Sequence, residues 1–171
     1  MNTIKQLSLR EKDSKSVYTD PIDIRQPILV TGATGIVGSE VVKQLLSAKE
    51  EKGEEDMIVK AAARLANDST FRNLGVQVVQ LDYNEPDTLS AALRGVDKLF
   101  LLTPFQSNMV DITSNLVNES KKARVKHIVK QSVLGADAEP AITPSRLHRQ
   151  AEDIAEESGI PFTFLRPNFF M

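Results

Sequence analysis

The stretch PILVTGATGIVGSEVVKQLL (residues 27–46) decides the fold of this chain. It joins a short apolar run, Ile28–Val30, to a turn in which glycine recurs at every third position and then to an apolar pattern of helical spacing. The apolar run is typical of a buried parallel strand, and the later pattern is typical of an amphipathic helix. Because the glycines let a ligand approach the backbone and the helix N-terminus presents free N–H groups, the stretch predicts a phosphate-binding turn.

Gly32, Gly35 and Gly38 follow the predicted strand at intervals of three residues and give the spacing GxxGxxG. The common dinucleotide fingerprint is GxGxxG, so the spacing is a weak signal by itself, and a tight turn that binds nothing is the alternative. The turn nevertheless follows a strand and opens a helix, which is the context that the fingerprint requires. We therefore expect a nucleotide site at this turn.

The composition of the chain is that of a globular protein. Its 171 residues suit one domain, and 41% hydrophobic and 26% charged residues are enough to form a core. The formal net charge of −2 gives no indication of a nucleic-acid or anionic-membrane surface. The absence of cysteine excludes disulfides, thiolate nucleophiles and cysteine metal sites. No apolar run approaches a membrane span and no signal core precedes the first strand, so we expect a cytoplasmic protein with no nucleic-acid or membrane partner.

Strand and helix patterns alternate after a polar, charged leader at residues 1–26, which we expect to be flexible. Residues 27–171 then form one predicted domain of the α/β class, a doubly wound parallel sheet with its ligand crevice at the carboxyl ends of the strands. The apolar end of the chain leads us to expect that the domain continues, in full-length members, into a substrate-binding region. Beyond the first strand and helix, the sequence predicts strands at 57–63, 76–81, 97–102, 126–131 and 161–165 and a solvated loop at 50–56. It also predicts helices at 84–94 and 143–158, the second with Thr143 as its N-cap, and a helix with the apolar stripe Met109, Ile112, Leu116 and Ala123.

The second predicted strand bears on which dinucleotide binds. An NAD site places an acidic residue about 20 residues beyond the glycines, where it accepts a hydrogen bond from the ribose 2′-hydroxyl. Here that strand ends at Arg64, which suits a 2′-phosphate and favours NADP, with a surface arginine as the alternative. Asp82 is placed to accept a hydrogen bond from the adenine amino group or, alternatively, to begin the turn that follows the third strand. Thr103 and Pro104, which end the fourth strand, are placed to contact the ribose beside the nicotinamide or simply to stop the strand.

The motifs TGATGIVG, AAAR, LDYNEPDTLSAALRGVDKLFLLTP and SGIPFTFLRPNFFM together resemble the NmrA-like group of atypical short-chain dehydrogenases/reductases, over residues 27–171. The resemblance implies a Rossmann fold that binds NADP(H), in either a quinone reductase or a sensor without enzymatic activity. It assigns Arg64 to the 2′-phosphate and Asp82 to the adenine. It assigns the pyrophosphate to the backbone of Gly32, Thr34, Gly35, Ile36 and Gly38.

The resemblance also locates a catalytic helix. Ordinary members of the superfamily carry Tyr and Lys one turn apart there, whereas this chain has Pro144 at the Tyr position and His148 at the Lys position. With an ordinary pKa of about 6.5, His148 would donate a proton or hold a ribose hydroxyl at neutral pH; an exposed helical histidine is the alternative. Hydride transfer to a quinone depends less on a fixed acid, because solvent can protonate the product.

Residues that follow the last two strands complete the predicted site. Ser132, at the end of the fifth strand, is predicted to be one of the cofactor-binding residues. Its hydroxyl either orients a substrate carbonyl or caps the loop that follows the strand. By resemblance, Asn168 and Phe169 lie beside the nicotinamide and contact the substrate, although Phe169 also suits a core. His127, inside a strand, is interpreted as a packing or edge histidine, and two distant histidines predict no metal site.

Three hypotheses follow, two about the function of the protein and one about the completeness of its site. The first is an NADPH-dependent oxidoreductase that reduces a quinone or another carbonyl acceptor. The second is a non-catalytic NADP-binding redox sensor that acts on a regulatory protein, which Pro144 favours because the usual proton donor is absent. A third hypothesis is that the chain lacks the substrate-binding region and binds the cofactor weakly.

Overall fold

The computed structural model describes residues 27–53, 57–65, 71, 74–138 and 142–168. The predicted leader and the substrate residue Phe169 lie outside the described residues. In chain order the elements are β1 Ile28–Val30, α1 Ile36–Lys52, β2 Val59–Ala63, β3 Gln77–Gln80, α2 Pro86–Leu93, β4 Lys98–Leu101, α3 Met109–Lys122, β5 His127–Gln131, α4 Thr143–Glu157 and β6 Phe162–Leu165.

The six strands form one parallel sheet in the order β3-β2-β1-β4-β5-β6. The chain winds outward from β1 to β3, returns to the centre at β4 and winds outward again to β6. This order confirms the predicted doubly wound α/β sheet. The reversal between β1 and β4 opens a crevice at the carboxyl ends of these strands, which is where such sheets bind ligands.

Successive residues of β1 pack on opposite faces of the sheet. Leu29 belongs to a buried cluster formed with side chains of α2 and α3, whereas Ile28 and Val30 belong to a second cluster with Val42 of α1 and with Phe71. A short, continuously apolar strand is therefore required, because β1 is covered on both faces. Burial of β1 in this way fixes the position of the glycine turn that follows it.

The α1 face of the sheet is covered less completely than the other face. Beside α1, an apolar groove of about 630 Å³ extends over β4 and β5 and is lined by residues that include Phe100 and Val129. Ile36, at the start of α1 on the edge of this groove, is 93% exposed. On the edge strand β6, Phe162 and Leu165 are also exposed.

Most element boundaries lie within one or two residues of the predicted ones, and two predictions are wrong. Helix α1 continues to Lys52 and ends at Gly53, whose φ of +63° is left-handed, so the predicted loop at 50–56 begins later than expected. Thr143 was predicted as the N-cap of α4 but is its first residue, and Ile142 occupies the cap without a side-chain hydrogen bond. The cap differs because the extended backbone at Ile142 already leads the chain into the helix.

Candidate functional site

The glycine turn is closed by its own backbone and cannot admit side chains at two of its three glycines. Gly32 has a φ of +60°, and its carbonyl accepts a hydrogen bond from the amide of Gly35 at 3.0 Å. A Cβ at Gly38 would lie 2.1 Å from the Gly32 oxygen, and a Cβ at Gly32 would lie 2.9 Å from Leu102. Gly35 is the N-cap of α1, so the first amides of a 17-residue helix face the turn.

Thr31 and Tyr83 fasten the glycine turn to the end of β4. The Thr31 hydroxyl donates to the carbonyl of Leu102 and accepts from its amide, both at 2.8 Å, and the residue is fully buried. The Tyr83 hydroxyl donates to the same carbonyl at 3.3 Å, and burial raises its pKa. Neither residue was assigned to the site from the sequence. Thr31 could have been assigned from the sequence, because it places a hydroxyl directly after a buried strand.

A cavity of about 430 Å³ opens at this turn, and we call it the glycine-turn cavity. It brings together Arg64 at the end of β2, Asp82 after β3 and Thr103 after β4, as the sequence predicted for a dinucleotide. Ile36, Gly38 and Ser132, also predicted for the cofactor, do not line it. The predicted residues that do line it are Gly32, Thr34, Gly35, Arg64, Asp82, Thr103 and Pro104.

The two residues predicted to recognise the adenosine half differ in environment. Arg64 is exposed at the cavity, so its guanidinium can reach a ligand without displacing packed side chains. Asp82 is half-buried, and one of its carboxylate oxygens accepts a hydrogen bond from the amide of Asn84 at 3.0 Å. Asp82 therefore leads a turn and lines the cavity at once, so the two sequence interpretations of this residue are compatible.

The glycines and the cavity fit a dinucleotide. Only glycine at positions 32 and 38 allows the backbone to close this tightly, and such closure leaves amides free to face phosphates. Among the described residues that line the cavity, Asp82 is the one acid, and it follows β3, whereas Arg64 follows β2. Arg64, Asp82 and the glycine turn are thus the residues that would hold the adenosine diphosphate part of the cofactor.

Three buried polar atoms have no hydrogen-bond partner among the described residues: Thr103 Oγ1, Ser132 Oγ and His148 Nδ1. We call these residues the unpaired trio. Leu101 of β4 is in register with Lys130 of β5, so Thr103 and Ser132 follow neighbouring strands at equivalent positions. Leaving a buried polar group unpaired costs about 1–3 kcal/mol, so the trio marks a place where a bound ligand would supply partners.

His148 differs from its predicted state. Burial lowers its pKa to about 4, and the nearby charge of Lys130 acts in the same direction, against Glu152. The expectation of an ordinary pKa, and of a proton held for donation at neutral pH, is therefore wrong. The alternative of a fully exposed histidine is also wrong, because the residue is half-buried. A neutral imidazole still accepts and donates hydrogen bonds, so a role in holding a ligand stays a prediction.

A buried carboxylate lies on α4, one helical turn after His148. Glu152 is completely buried, and its two oxygens accept from Arg166 Nε at 2.9 Å and Arg166 Nη2 at 2.7 Å, with Arg149 adding a third contact at 3.2 Å. Burial alone raises the pKa of Glu152, but the hydrogen bonds from Arg166 hold it below its usual value, and the Ser132 hydroxyl, which lies near the carboxylate without forming a regular hydrogen bond, acts in the same direction. The pair joins α4 to the end of β6. The contacts of Glu152 with Arg166 and Arg149 were not predicted, because each of the three residues looks like a surface charge in the sequence.

The remaining predicted residues contribute less. Asn168 is exposed at the end of the described chain, and its substrate role stays a prediction. His127 Nε2 lies 3.0 Å from the Thr163 hydroxyl of β6, and β5 is paired on both sides, so of its two interpretations the packing histidine agrees with the structure and the edge histidine does not. In the part of the chain that the structure describes, no group of three or more acidic or histidine side chains is placed to hold a metal ion. Within the same residues, no helix has both the length and the apolar character needed to cross a membrane.

Comparison with known proteins agrees with this geometry. A family profile described as NAD(P)H-binding matches residues 32–171. The chain is 39% identical over 145 residues to the NAD(P)H azoreductase of Xenophilus azovorans, covering 84% of this chain and 48% of that protein. It is 31% identical over 144 residues to quinone oxidoreductase 2 of Escherichia coli, covering 84% and 49%. The chain belongs to the NAD(P)H-binding family, among the NmrA-like atypical short-chain dehydrogenases/reductases.

Solved structures show the same fold. Triphenylmethane reductase of Citrobacter sp., crystallised with NADP(H), superposes with a TM-score of 0.73 at 33% identity, covering 85% of this chain and 50% of that one. The Escherichia coli NADPH-dependent quinone oxidoreductase, crystallised with NADPH, gives a TM-score of 0.71 at 31% identity, covering 84% and 49%. The chain spans about half the length of the curated relatives it matches.

Proposed function

We propose that this chain forms the cofactor-binding part of an NADPH-dependent oxidoreductase that reduces a quinone or a similar conjugated carbonyl acceptor. The observation that carries the proposal is the glycine-turn cavity, in which Arg64 ends β2 where an NAD-selective site would have an acid. Relatives named for azo and quinone reduction support the reaction class. The structure of a relative with bound NADP(H) supports the cofactor.

Different residues of the chain would act at the two ends of the crevice. The glycine turn and the N-terminus of α1 would bind the pyrophosphate, and Arg64 would pair with the 2′-phosphate. The unpaired trio would then orient the reacting groups through hydrogen bonds that it lacks in the free protein. The cofactor, when bound, supplies the hydride, and the protein supplies position and electrostatic field.

The test of the cofactor is a fluorescence titration of the chain with NADPH and with NADH. We expect tighter binding of NADPH, and we expect Arg64→Ala to weaken NADPH binding by about 10–100-fold with little change for NADH, since a charge-assisted pair contributes about 1.5–3 kcal/mol. Arg94→Ala is the matched control, because Arg94 is exposed but does not line the cavity. Equal affinity for both dinucleotides in the wild type would contradict the NADP preference.

The second candidate function is an NADP-binding sensor without turnover. Two observations favour it: Pro144 stands where the proton donor of ordinary members would be, and His148 is neutral at physiological pH. Oxidation of NADPH followed at 340 nm with a panel of quinones separates the two functions. Saturable turnover supports the reductase. Tight NADPH binding without turnover of any acceptor supports the sensor.

A further inference from the structure

Arg166 directly follows β6, and its guanidinium binds two carboxylates that lie on different segments of the chain. Its Nε and Nη2 atoms donate to the two oxygens of the buried Glu152 on α4, at 2.9 and 2.7 Å. Its Nη1 atom donates to a carboxylate oxygen of Asp137 at 2.7 Å. Asp137 belongs to residues 132–138, which follow β5 and which we call the β5 loop. One planar side chain thus connects β6, α4 and the β5 loop.

The backbone on both sides of Arg166 binds the same loop. The amide of Ser132 donates to the carbonyl of Leu165 at 2.7 Å, and the amide of Leu134 donates to the carbonyl of Pro167 at 2.8 Å. These two carbonyls belong to the residues immediately before and after Arg166. The β5 loop is therefore held to this short segment by its backbone at its start and by a carboxylate further along.

The second arginine on Glu152 is arranged differently. Arg149 Nη1 donates to one Glu152 oxygen at 3.2 Å, and Arg149 Nη2 contacts Asp153 and Glu156. All of these acids lie within two turns of Arg149 on α4 itself. Of the two arginines that contact Glu152, Arg166 is therefore the one that joins α4 to other segments of the chain.

The segments that Arg166 joins carry two of the residues predicted for the site. Ser132 begins the β5 loop, and His148 lies on α4 one helical turn before Glu152. The buried Ser132 hydroxyl and the buried Nδ1 atom of His148 have no hydrogen-bond partner among the described residues. Two groups on different segments can bind one ligand in a defined orientation only when the segments are held in a fixed relative position.

We propose that Arg166 is a positioning residue, which fixes the β5 loop against α4 and so sets the placement of Ser132 relative to His148. The inference rests on the proposed function, because these two residues are the ones proposed to orient the reacting groups. Arginine suits this role because its planar guanidinium forms two parallel bonds with one carboxylate and directs its remaining nitrogen at a fixed angle to another. A lysine ammonium is a point charge and does not fix that angle.

Amide hydrogen exchange, followed by NMR at single residues, tests the placement without any ligand. We expect Arg166→Gln to accelerate exchange at the amides of Ser132 and Leu134 about tenfold or more, because both are bonded to the carbonyls that flank Arg166. The amide of Thr31, bonded to the Phe100 carbonyl at 3.1 Å in the centre of the sheet, is the internal reference and keeps its rate. Equal acceleration of the Thr31 amide would show a general loss of stability and overturn the proposal.

Two further variants control the exchange experiment. Arg149→Gln is the matched control, because it removes a contact with the same Glu152 carboxylate but none with the β5 loop, and the loop amides should keep their rates. Asp137→Asn releases the loop while the bonds between Arg166 and Glu152 stay intact, and the Asp137 side chain is 64% exposed, so the variant should fold. Unchanged loop amides in both Arg166→Gln and Asp137→Asn would overturn the proposal.

Acceptor reduction tests the consequence for the reaction. We expect Asp137→Asn to lower kcat for quinone reduction about tenfold with an unchanged dissociation constant for NADPH, because misplaced orienting groups slow the reaction. Asp153→Asn is the matched control, since Asp153 also pairs with an arginine but lies on α4 and does not contact the β5 loop. Arg166→Lys should retain more activity than Arg166→Gln. Unchanged kcat in Asp137→Asn would overturn the effect on the reaction.

A double-mutant cycle shows whether this effect passes through Ser132. Ser132→Ala should lower kcat much less in the Asp137→Asn background than in the wild type, because both changes remove the same oriented hydroxyl. Losses that add independently would overturn the positioning role. Wild-type protein that binds NADPH but reduces no acceptor would refute the proposed reductase, while the exchange experiment still decides whether Arg166 fixes the β5 loop.

Discussion

The two ends of the crevice satisfy their polar groups differently. At the glycine turn, Thr31 makes two hydrogen bonds to Leu102, Tyr83 makes a third, and Asp82 binds its own turn. By contrast, the unpaired trio retains three buried atoms without partners among the described residues: Thr103 follows β4 and also lines the glycine-turn cavity, Ser132 follows β5, and His148 lies on α4. The first end is thus held by hydrogen bonds within the chain. The second holds unused hydrogen-bonding capacity.

This difference matches what each end has to bind. A phosphate site depends on backbone amides fixed in advance, so tight closure around Gly32 and Gly38 improves it. A site that receives a second molecule depends on side chains that are free to bind it. In the protein without a ligand, these unpaired groups lower the stability of the fold. The same half of the sheet also carries exposed Phe162 and Leu165. Substitutions can show which polar groups stabilise the fold and which are unused in the free chain, and they therefore test this difference between the two ends.

Glu152→Ala is expected to have the largest effect. It leaves Arg166 and Arg149 without their shared buried partner, and breaking such a pair costs about 3–5 kcal/mol. Glu156→Ala is the control, because Glu156 is a partly exposed acid that also contacts Arg149 and should cost less than about 1 kcal/mol. Urea unfolding of both variants gives the comparison. Similar small losses would show that the second end is not held together by Glu152.

Acid titration provides a sharper version of the same test. The folded pKa of Glu152 is lowered, so its contribution to stability is fully present above the unfolded value of 4.5 and is lost as pH falls through the folded value. Glu152→Gln, which cannot ionise, should lose less stability than the wild type over that acidic range. A wild type and variant that decline in parallel below pH 4.5 would contradict the lowered pKa.

Gly38→Ala is the next largest change and acts at the other end. The added Cβ would lie 2.1 Å from the Gly32 carbonyl oxygen, so we expect a loss of about 1–3 kcal/mol or more and the loss of NADPH binding. Gly35→Ala is the matched control for stability, because its Cβ would lie 3.3 Å from the same oxygen and its φ of −82° suits alanine. Its stability should change by less than about 1 kcal/mol. Equal losses would show that the turn is not closed as described.

The sequence predicted the sheet and the glycine end well because their signals are local. An apolar strand, a glycine turn and an amphipathic helix lie next to one another in residues 27–46, and Arg64 and Asp82 directly follow strands. The carboxyl ends of parallel strands meet at one edge, so predicting the strands also predicted which residues gather there. The structure brings Arg64, Asp82 and Thr103 together around one cavity, and their roles toward a cofactor stay predictions.

The charged network at the second end could not be predicted in the same way. Lys130, Glu152 and Arg166 are widely separated in the sequence, and each looks like an ordinary surface charge beside other charges. Only the packing of α4 on β5 and β6 shows that Lys130 and Glu152 are buried. The prediction of an ordinary pKa for His148 was wrong for the same reason, because the burial of His148 and the position of Lys130 depend on the tertiary structure.

Thr31→Val should have an intermediate effect at the glycine end. The substitution keeps the shape of the side chain but removes both bonds to Leu102, and we expect a loss of about 1–3 kcal/mol with weaker NADPH binding. Thr113→Val is the control, since the buried Thr113 hydroxyl only donates to the Met109 carbonyl of its own helix. Thermal melts with NADPH titrations measure both quantities. A smaller loss for Thr31 than for Thr113 would argue against its fastening role.

Ser132→Ala should have the smallest effect on stability and is the most informative about the second end. Because its buried hydroxyl forms no regular hydrogen bond among the described residues and only lies near the Glu152 carboxylate, removing the hydroxyl should change the melting temperature little. Ser120→Ala is the matched control, since Ser120 is equally buried but donates to the Leu116 carbonyl at 2.7 Å, and its loss should cost about 0.5–1.5 kcal/mol. If Ser132 is kept for a ligand, its variant loses acceptor reduction while remaining fully folded. A clear drop in stability without any change in reduction would make Ser132 a structural residue and would remove it from the unpaired trio.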